Sequence, residues 1–137
     1  PPTAAGLVYC IEPLSKEQTP LVNTLAEAAA IVDELNIPGL RTMLDTSSAG
    51  RSESDAIPAL IDRWVPTGHI RHVQLNDSNR MGPGQGKDRF APVLAALKRN
   101  RYHGVVAIEP FKYEPDGPGS AARAIGYVKG ILEALEQ

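Results

Sequence analysis

The chain has 137 residues, of which 42% are hydrophobic and 22% charged, and its formal net charge is −2. This composition is typical of a globular domain and excludes a disordered or fibrous chain. The slightly acidic balance argues against a nucleic-acid binder, which needs basic side chains to neutralise phosphates. No apolar run reaches the roughly 18 to 20 residues of a membrane span. The single cysteine, Cys10, cannot form an internal disulfide, which favours a reducing, cytoplasmic setting.

Four short apolar segments are predicted to be buried strands. A glycine stands just ahead of each segment, and glycine breakers in this position favour strands over buried helices. The predicted strands cover residues 7–11, 40–44, 70–75 and 105–108.

Helical patterns alternate with these strands. Apolar residues recur at steps of three and four over 21–35, 57–64, 90–97 and 125–135, which predicts amphipathic helices. Thr19 is the expected N-cap of the first helix, with Pro20 at its first helical position. The β-α-β-α-β-α-β-α order predicts a parallel sheet with right-handed crossovers. Four such units are either a small open sheet with helices on both faces or half of an eight-unit barrel.

A polar residue stands at or near the C-terminal end of every predicted strand, namely Glu12, Asp45, Gln74 and Glu109. Their separations are 33, 29 and 35 residues, one βα unit each time. Because catalytic groups of βα barrels come from this end of several strands, the four side chains are expected to converge. Carboxylate and amide oxygens suit Mg²⁺ or Mn²⁺, and a bound cation would keep three crowded carboxylates ionised. Any one of these acids could instead cap the helix after its strand.

The loop after the third predicted strand, residues 76–86, is rich in glycine. Its Gly-Pro-Gly-Gln-Gly turn over 82–86 would let the backbone approach a ligand closely, and Arg80 could direct its donors at substrate oxygens. The loop is not a phosphate P-loop, because no Gly-Lys-Ser or Gly-Lys-Thr follows.

Four motifs in this order make the chain similar to a known family. They are Ile11-Glu12-Pro13-Leu14, Met43-Leu44-Asp45-Thr46, His72-Val73-Gln74-Leu75 with the loop at 76–86, and Ile108-Glu109-Pro110-Phe111. From residue 7 to about 135, the chain resembles the C-terminal half of the xylose isomerase-like TIM barrels. Within them it is most similar to sugar (phosphate) isomerase/epimerases of the D-tagatose 3-epimerase type. The resemblance implies a (β/α) barrel of TIM type, with residues 1–137 as one domain formed by its last four βα units.

The resemblance also implies a metal centre. One Mn²⁺ or Mg²⁺ ion would be held by Glu12, Asp45, Gln74 and Glu109, and Glu12 and Glu109 would also be the catalytic acid/base pair. Gln74 stands where the epimerases have His. Hydroxypyruvate-isomerase-like and dehydroshikimate-dehydratase-like relatives have Gln at this position, so metal binding is still expected.

Candidate substrate-binding residues follow from the same comparison of motifs. Arg80 matches a substrate-contacting arginine of the family. Ser48 and Gln18 replace a His and a Glu at substrate-contacting positions, so they are expected to bind a different set of substrate groups. Phe111 is a candidate wall of the substrate pocket. His72 should face the same side of its strand as Gln74 and is a candidate to contact the metal ligands without binding the metal itself.

The implied function is that of a divalent-metal-dependent isomerase or epimerase of a keto sugar, sugar phosphate or related polyhydroxy acid. The two glutamates would transfer protons through an enediolate held by the metal. A metal-dependent lyase (dehydratase or decarboxylase) of the same superfamily and a non-catalytic half-barrel fragment stay open as alternatives. Besides a small carbohydrate, the expected partner is a missing N-terminal half-barrel or a second copy in a homo-oligomer, because unpaired strand edges would otherwise remain. Neither nucleic acid nor a membrane is an expected partner.

Overall fold

The computed structural model describes residues 6–136. Strands and helices alternate along the chain, with one helix more than the sequence pattern predicts. The elements in chain order are β1 (Tyr9–Ile11), α1 (Leu25–Leu35), β2 (Leu40–Asp45), α2 (Thr46–Ser52), α3 (Ile57–Trp64), β3 (Ile70–Leu75), α4 (Ala91–Arg99), β4 (Val105–Ile108) and α5 (Gly117–Ala134). Between residues 6 and 136, no helix combines the length and the apolar character that crossing a membrane requires.

The strands form one parallel sheet in the order β1-β2-β3-β4. Tyr9 on β1 pairs with Leu40 on β2, and Val105 on β4 pairs with His72 on β3. Among the described residues, β1 and β4 therefore have a strand neighbour on one side only, as predicted. Right-handed crossovers between consecutive neighbouring strands place all the helices on the same face. The sheet is thus half of a TIM-type barrel wall rather than a small sheet with helices on both faces.

The first strand is shorter than predicted. It covers Tyr9–Ile11 instead of residues 7–11, and its pairing begins where the N–H of Tyr9 donates to the carbonyl of Gly39 at 2.8 Å. Leu7 and Val8 precede this contact and are exposed. The other three strands match their predicted bounds to within one residue.

The prediction that Thr19 caps the first helix, with Pro20 in its first turn, is wrong. The N-cap is Thr24, whose hydroxyl accepts the N–H of Glu27 while the Glu27 carboxylate accepts the N–H of Thr24. This reciprocal capping box satisfies two N–H groups at the helix start. The buried Asn23 side chain donates to the Thr19 carbonyl at 2.9 Å, which holds the preceding residues in a loop.

Two further helix starts differ from the prediction. Helix α2 is not predicted at all, because its Ser, Ala and Gly residues form no apolar stripe. It is capped by Asp45, whose Oδ1 accepts the N–H of Ser48 at 2.7 Å. Helix α5 begins at Gly117, well ahead of the predicted 125–135, because the Asp116 side chain caps it.

The hydrophobic core lies between the sheet and the helices. Its fully buried side chains include Leu44, Leu60, Ile61, Val73, Leu75 and Phe90, each contributing roughly 1.5 to 3 kcal/mol by burial. At the two sheet edges, in contrast, Tyr9 and Val105 are each 62% exposed. The four units therefore bury one face of the sheet and leave apolar side chains on the edge strands uncovered.

Candidate active site

Three of the four predicted metal ligands converge at the C-terminal edge of the sheet. Glu12 follows β1, Asp45 ends β2 and Glu109 follows β4. Each offers a carboxylate oxygen, and these three oxygens all lie within 4.8 Å of one another. Two ligands of one divalent cation, each about 2.0 to 2.5 Å from it, are separated by no more than about 5 Å. The spacing of the carboxylates is therefore one that a single cation can bridge.

The fourth predicted ligand, Gln74, lies on the strand between them. It pairs with Asp45 on β2 and with Ala107 on β4. Its Oε1 is buried and has no hydrogen-bond partner among the described residues. A buried acceptor without a partner costs about 1 to 3 kcal/mol, and an amide oxygen is a suitable ligand for a hard cation. The residues present thus fit a hard divalent cation.

The electrostatics of the cluster agree with this fit. Burial first, and then the neighbouring Asp45 and Glu109 carboxylates, together raise the pKa of Glu12 to about 7. Burial and Asp45 also raise the pKa of Glu109, whereas His72 and the Gln74 side chain lower it. His72 is thus near enough to affect the Glu109 charge. A bound cation would favour the ionised form of both glutamates.

Asn76, which the sequence pattern does not single out, holds the site together. Its side chain is fully buried. Its Nδ2 donates to Asp45 Oδ2 at 2.7 Å and to the Glu109 carbonyl at 3.3 Å, and its Oδ1 accepts the N–H of Ser47 at 2.8 Å. Asn76 therefore fixes the Asp45 carboxylate and ties together the ends of β2 and β4. Its position two residues after Gln74, at the end of a strand, is the signal that could have identified it.

The predicted substrate-binding residues lie together around one cavity of about 160 Å³. The carboxylates of the cluster share this cavity with Gln18, Ser48, Arg80 and Phe111. Ser47 and Arg51, which are not among the predicted residues, line it as well. One end of the Gln18 side chain is already hydrogen-bonded within its own turn, because its Oε1 accepts a hydrogen bond from the Ser15 hydroxyl at 2.8 Å.

Arg80 is held in place by the segment that follows β4. Its φ of 70° lies in the left-handed region, which is uncommon for a residue with a side chain. Its carbonyl accepts the N–H groups of Phe111 and Lys112 at 2.8 and 2.9 Å. The guanidinium carbon lies 4.5 Å from the centroid of the Phe111 ring, a cation–π distance. The backbone and the side chain of Arg80 are therefore both fixed by the segment that carries Glu109.

Gly86 in the glycine-rich loop allows another group to approach its backbone closely, and that group is the side chain of Asp77 in the same loop. Asp77 is fully buried, and its carboxylate accepts the N–H groups of Lys87 and Asp88 at 3.3 and 3.2 Å. A Cβ on Gly86 would lie 2.0 Å from Asp77 Oδ1. At Gly86 the glycine therefore accommodates Asp77, and a close approach of the loop backbone to a ligand stays a prediction.

We expect Gly86→Ala to lower the free energy of unfolding by about 1 to 3 kcal/mol, because the added methyl overlaps a buried carboxylate. The matched control is Gly50→Ala in α2, where a Cβ would meet nothing within 4 Å; that change should be neutral or slightly stabilising. Urea denaturation of the full-length protein measures both variants. Equal unfolding midpoints for the two would contradict this account of the loop.

Four consecutive parallel βα units with carboxylates converging at the strand ends define a TIM-barrel protein with a candidate divalent-metal centre. The family described as "Xylose isomerase-like TIM barrel" matches residues 3–131. The chain belongs to this family, as its four motifs predict.

Several relatives match over nearly the whole chain. A probable ketose 3-epimerase of Synechocystis sp. is 29% identical over 131 residues, covering 96% of this chain and 45% of the relative. A ketose 3-epimerase of Arthrobacter globiformis is 32% identical over 132 residues, covering 96% and 44% respectively. The chain thus spans a little under half the length of these relatives.

Solved structures show the same architecture. The crystal structure of a 3-keto-D-glucoside 4-epimerase from E. coli superposes with a TM-score of 0.81 at 26% identity, covering 94% of this chain and 48% of that one. The structure of an L-ribulose 3-epimerase also gives a TM-score of 0.81, at 23% identity, and covers 96% and 49%. The predicted fold, half of a TIM-type barrel, is therefore confirmed.

Proposed function

We propose that the full-length protein is a divalent-metal-dependent epimerase of a keto sugar in which Glu12 and Glu109 transfer the protons. The observation that carries this proposal is the convergence of both glutamates with Asp45, within 4.8 Å, beside a cavity that Arg80 also lines. The relatives named as ketose 3-epimerases support the same class of reaction.

The proposed ligands of the cation are Glu12, Asp45, Gln74 and Glu109. Three carboxylates and an unpartnered amide oxygen support a hard ion, Mg²⁺ or Mn²⁺, over a soft one. Such an ion, when bound, polarises the carbonyl and the neighbouring hydroxyl of a sugar.

The positions of the two glutamates support an acid/base role for each of them. Glu12 follows β1 and Glu109 follows β4, so their carboxylates reach the cavity from the two opposite edges of the described sheet. In the proposed reaction one carboxylate removes the proton from the carbon beside the carbonyl. The other returns a proton to the opposite face, which inverts that carbon.

We also propose that the described half-barrel is completed by a partner. The exposed apolar residues of the edge strands, such as Tyr9 and Val105, support a partner that continues the wall, either a preceding half-barrel or a second copy of residues 1–137. An apolar surface of this kind is rarely left open in a soluble protein. Assembly as a homo-oligomer and a cytoplasmic location stay predictions.

A lyase is the second candidate. Gln74, at the position where the epimerases have His, gives this candidate some weight, because the relatives that the resemblance places with Gln there are dehydratase-like as well as hydroxypyruvate-isomerase-like. A dehydratase would use the same first proton abstraction and would then expel a β-hydroxyl, which leaves as water. A decarboxylase would instead form the enediolate by loss of CO₂ and then protonate it.

The test is solvent-proton exchange. The full-length protein with Mn²⁺ is incubated in D₂O with a panel of neutral and anionic 2-ketoses, and NMR follows the carbon beside the carbonyl. We expect deuterium at that carbon together with the appearance of the epimer. A dehydrated or decarboxylated product would favour the lyase, and no exchange with any member of the panel would contradict the proposed function.

A further inference from the structure

We infer that the half that completes the barrel is not a second copy of this chain and that it places carboxylate side chains against Arg41 and Arg71. This inference rests on the part of the proposed function in which a partner completes the barrel, and it does not depend on the reaction that is catalysed. The two arginines stand near the N-terminal ends of β2 and β3. The carboxylate cluster lies at the opposite end of the sheet.

Arg41 lies on the inner face of the sheet, the face turned away from the helices. Side chains alternate between the two faces along a strand. Leu44 of β2 packs in the core between the sheet and the helices, so Arg41, three residues before it, lies on the opposite face together with Asp45. Cys10 of β1 pairs with Arg41 and shares this face. Arg41 therefore faces the interior of the complete barrel.

Arg71 reaches the same region from β3. The register between β2 and β3 shifts at this point, which leaves Arg71 outside the regular pairing. Burial raises the pKa of the Cys10 thiol, whereas Arg71 and Arg41 lower it, so both guanidiniums act on a side chain of β1. Both arginines also line one cavity of about 500 Å³. Since β2 separates β3 from β1, the Arg71 side chain extends over the inner face toward Arg41.

Neither guanidinium has an acidic partner within the described half. Arg41 Nη1 donates to the carbonyl of the neighbouring Leu40 at 2.6 Å, and no salt bridge within residues 6–136 includes Arg41 or Arg71. Asp33 also lines the cavity, but its Oδ1 contacts His69 Nε2 at 2.9 Å. Two positive charges are thus left on the inner face without a negative charge paired to them.

Closure of the barrel changes the surroundings of these charges. The interior of a TIM barrel is a packed core formed by side chains of all its strands, not a pore. The completing half therefore removes part of the water around Arg41 and Arg71. Burial of a charge is strongly unfavourable unless an opposite charge lies beside it, and a guanidinium pairs best with a carboxylate. Charge complementarity therefore indicates carboxylate side chains on the opposing inner face.

A second copy of this chain does not supply these carboxylates. In a barrel of two copies, symmetry would place Arg41 and Arg71 at the same level as the same two arginines of the other copy, and like charges across an interface are unfavourable. The inner-face acids of the described half lie at the other end of the sheet. Asp45, for example, is four residues beyond Arg41, roughly 13 Å along the strand. The occupant is therefore a half-barrel of different sequence.

The first test is a crystal structure of the full-length protein. We expect at least one carboxylate oxygen, contributed by a half-barrel of different sequence, within about 4 Å of a guanidinium nitrogen of Arg41 or Arg71. A barrel closed by two copies of residues 1–137 would overturn the inference. A closed barrel in which neither arginine has an acidic neighbour would overturn it as well.

The second test measures whether the pairing stabilises the barrel. Arg41→Met keeps an unbranched side chain but removes the charge, which leaves the opposing carboxylate unpaired. We expect the unfolding equilibrium constant of the full-length protein, measured with urea, to rise about 100-fold or more. Neutralising the opposing carboxylate should have a similar effect, and the two changes together should destabilise less than the sum of the single changes.

The matched control is Arg63→Met. The Arg63 guanidinium pairs with Asp55 at 2.8 Å, but its side chain is 59% exposed, so the unfolding equilibrium constant should change by less than about fivefold. An equally small change in Arg41→Met, or strictly additive effects in the combined variant, would overturn the inference. If Arg41→Met does not fold, the crystal structure of the wild-type protein still decides.

The proposed function fails separately. No deuterium exchange, in a barrel where carboxylates face Arg41 and Arg71, would contradict the epimerase and leave this inference intact. Deuterium exchange in a barrel without acidic neighbours of these arginines would contradict this inference alone.

Discussion

Glu12→Gln and Glu109→Gln should each reduce solvent-deuterium exchange into the substrate by at least about 10³-fold. Each variant removes a carboxylate that is proposed to take or give a proton but keeps an amide oxygen that can still bind a cation. NMR of the ketose in D₂O measures the exchange, and calorimetry with Mn²⁺ shows whether the ion is still bound. Glu34→Gln, at an exposed position on α1, is the matched control and should exchange at the wild-type rate.

Exchange at the wild-type rate in either glutamate variant would show that this glutamate is not a base. Loss of exchange together with loss of Mn²⁺ binding would assign the residue a ligand role only. The two measurements thus separate proton transfer from metal binding at the same side chain.

Asp45→Ala should weaken Mn²⁺ binding by about 100-fold or more, because it removes a buried charged ligand from the centre of the cluster. The same change also deletes the N-cap of α2, which costs about 0.5 to 2 kcal/mol of stability. Asp45→Asn keeps the cap, since its amide oxygen can still accept the Ser48 N–H while the charge is lost. Its NH₂ then faces the Nδ2 of Asn76, and the denaturation measurement gives the cost of that contact. Calorimetry with Mn²⁺ and urea denaturation measure both variants.

Unchanged Mn²⁺ affinity in Asp45→Ala would mean that Asp45 is only a helix cap. A folded Asp45→Asn protein with weakened binding, in contrast, would show that the carboxylate is needed as a ligand. In either case the bond from the Ser48 N–H, at 2.7 Å, orients the Asp45 carboxylate.

The sequence predicts the architecture well because the polar residues at the strand ends are separated by one βα unit each time. Glu12, Asp45, Gln74 and Glu109 recur once per βα unit, and parallel strands bring their C-terminal ends to one edge. Helix starts are predicted less well. Thr19 and Thr24 are equally plausible caps by residue type. Only the hydrogen bonds of Asn23 and Glu27 decide between them.

The site is predicted only in part, for a related reason. Residues that stand at the end of a predicted strand can be recognised from the sequence. The contacts of Asn76 and Arg51 are with residues far away along the chain. Asn76 joins Asp45 to the Glu109 backbone, and Arg51 reaches the cavity from a helix without an apolar stripe. Nothing in the local sequence marks Arg51, and the only signal for Asn76 is its position two residues after Gln74, at the end of a predicted strand.

The central claim is that one cation joins the ends of all four strands, and anomalous diffraction from Mn²⁺-soaked crystals of the full-length protein tests it most directly. The account predicts one manganese peak with oxygens of Glu12, Asp45, Gln74 and Glu109 about 2.0 to 2.3 Å away. The Gln74 amide is the most informative of these ligands, because its buried oxygen has no hydrogen-bond partner among residues 6–136. No manganese at this cluster, or manganese bound with the Gln74 oxygen turned away, would contradict the account.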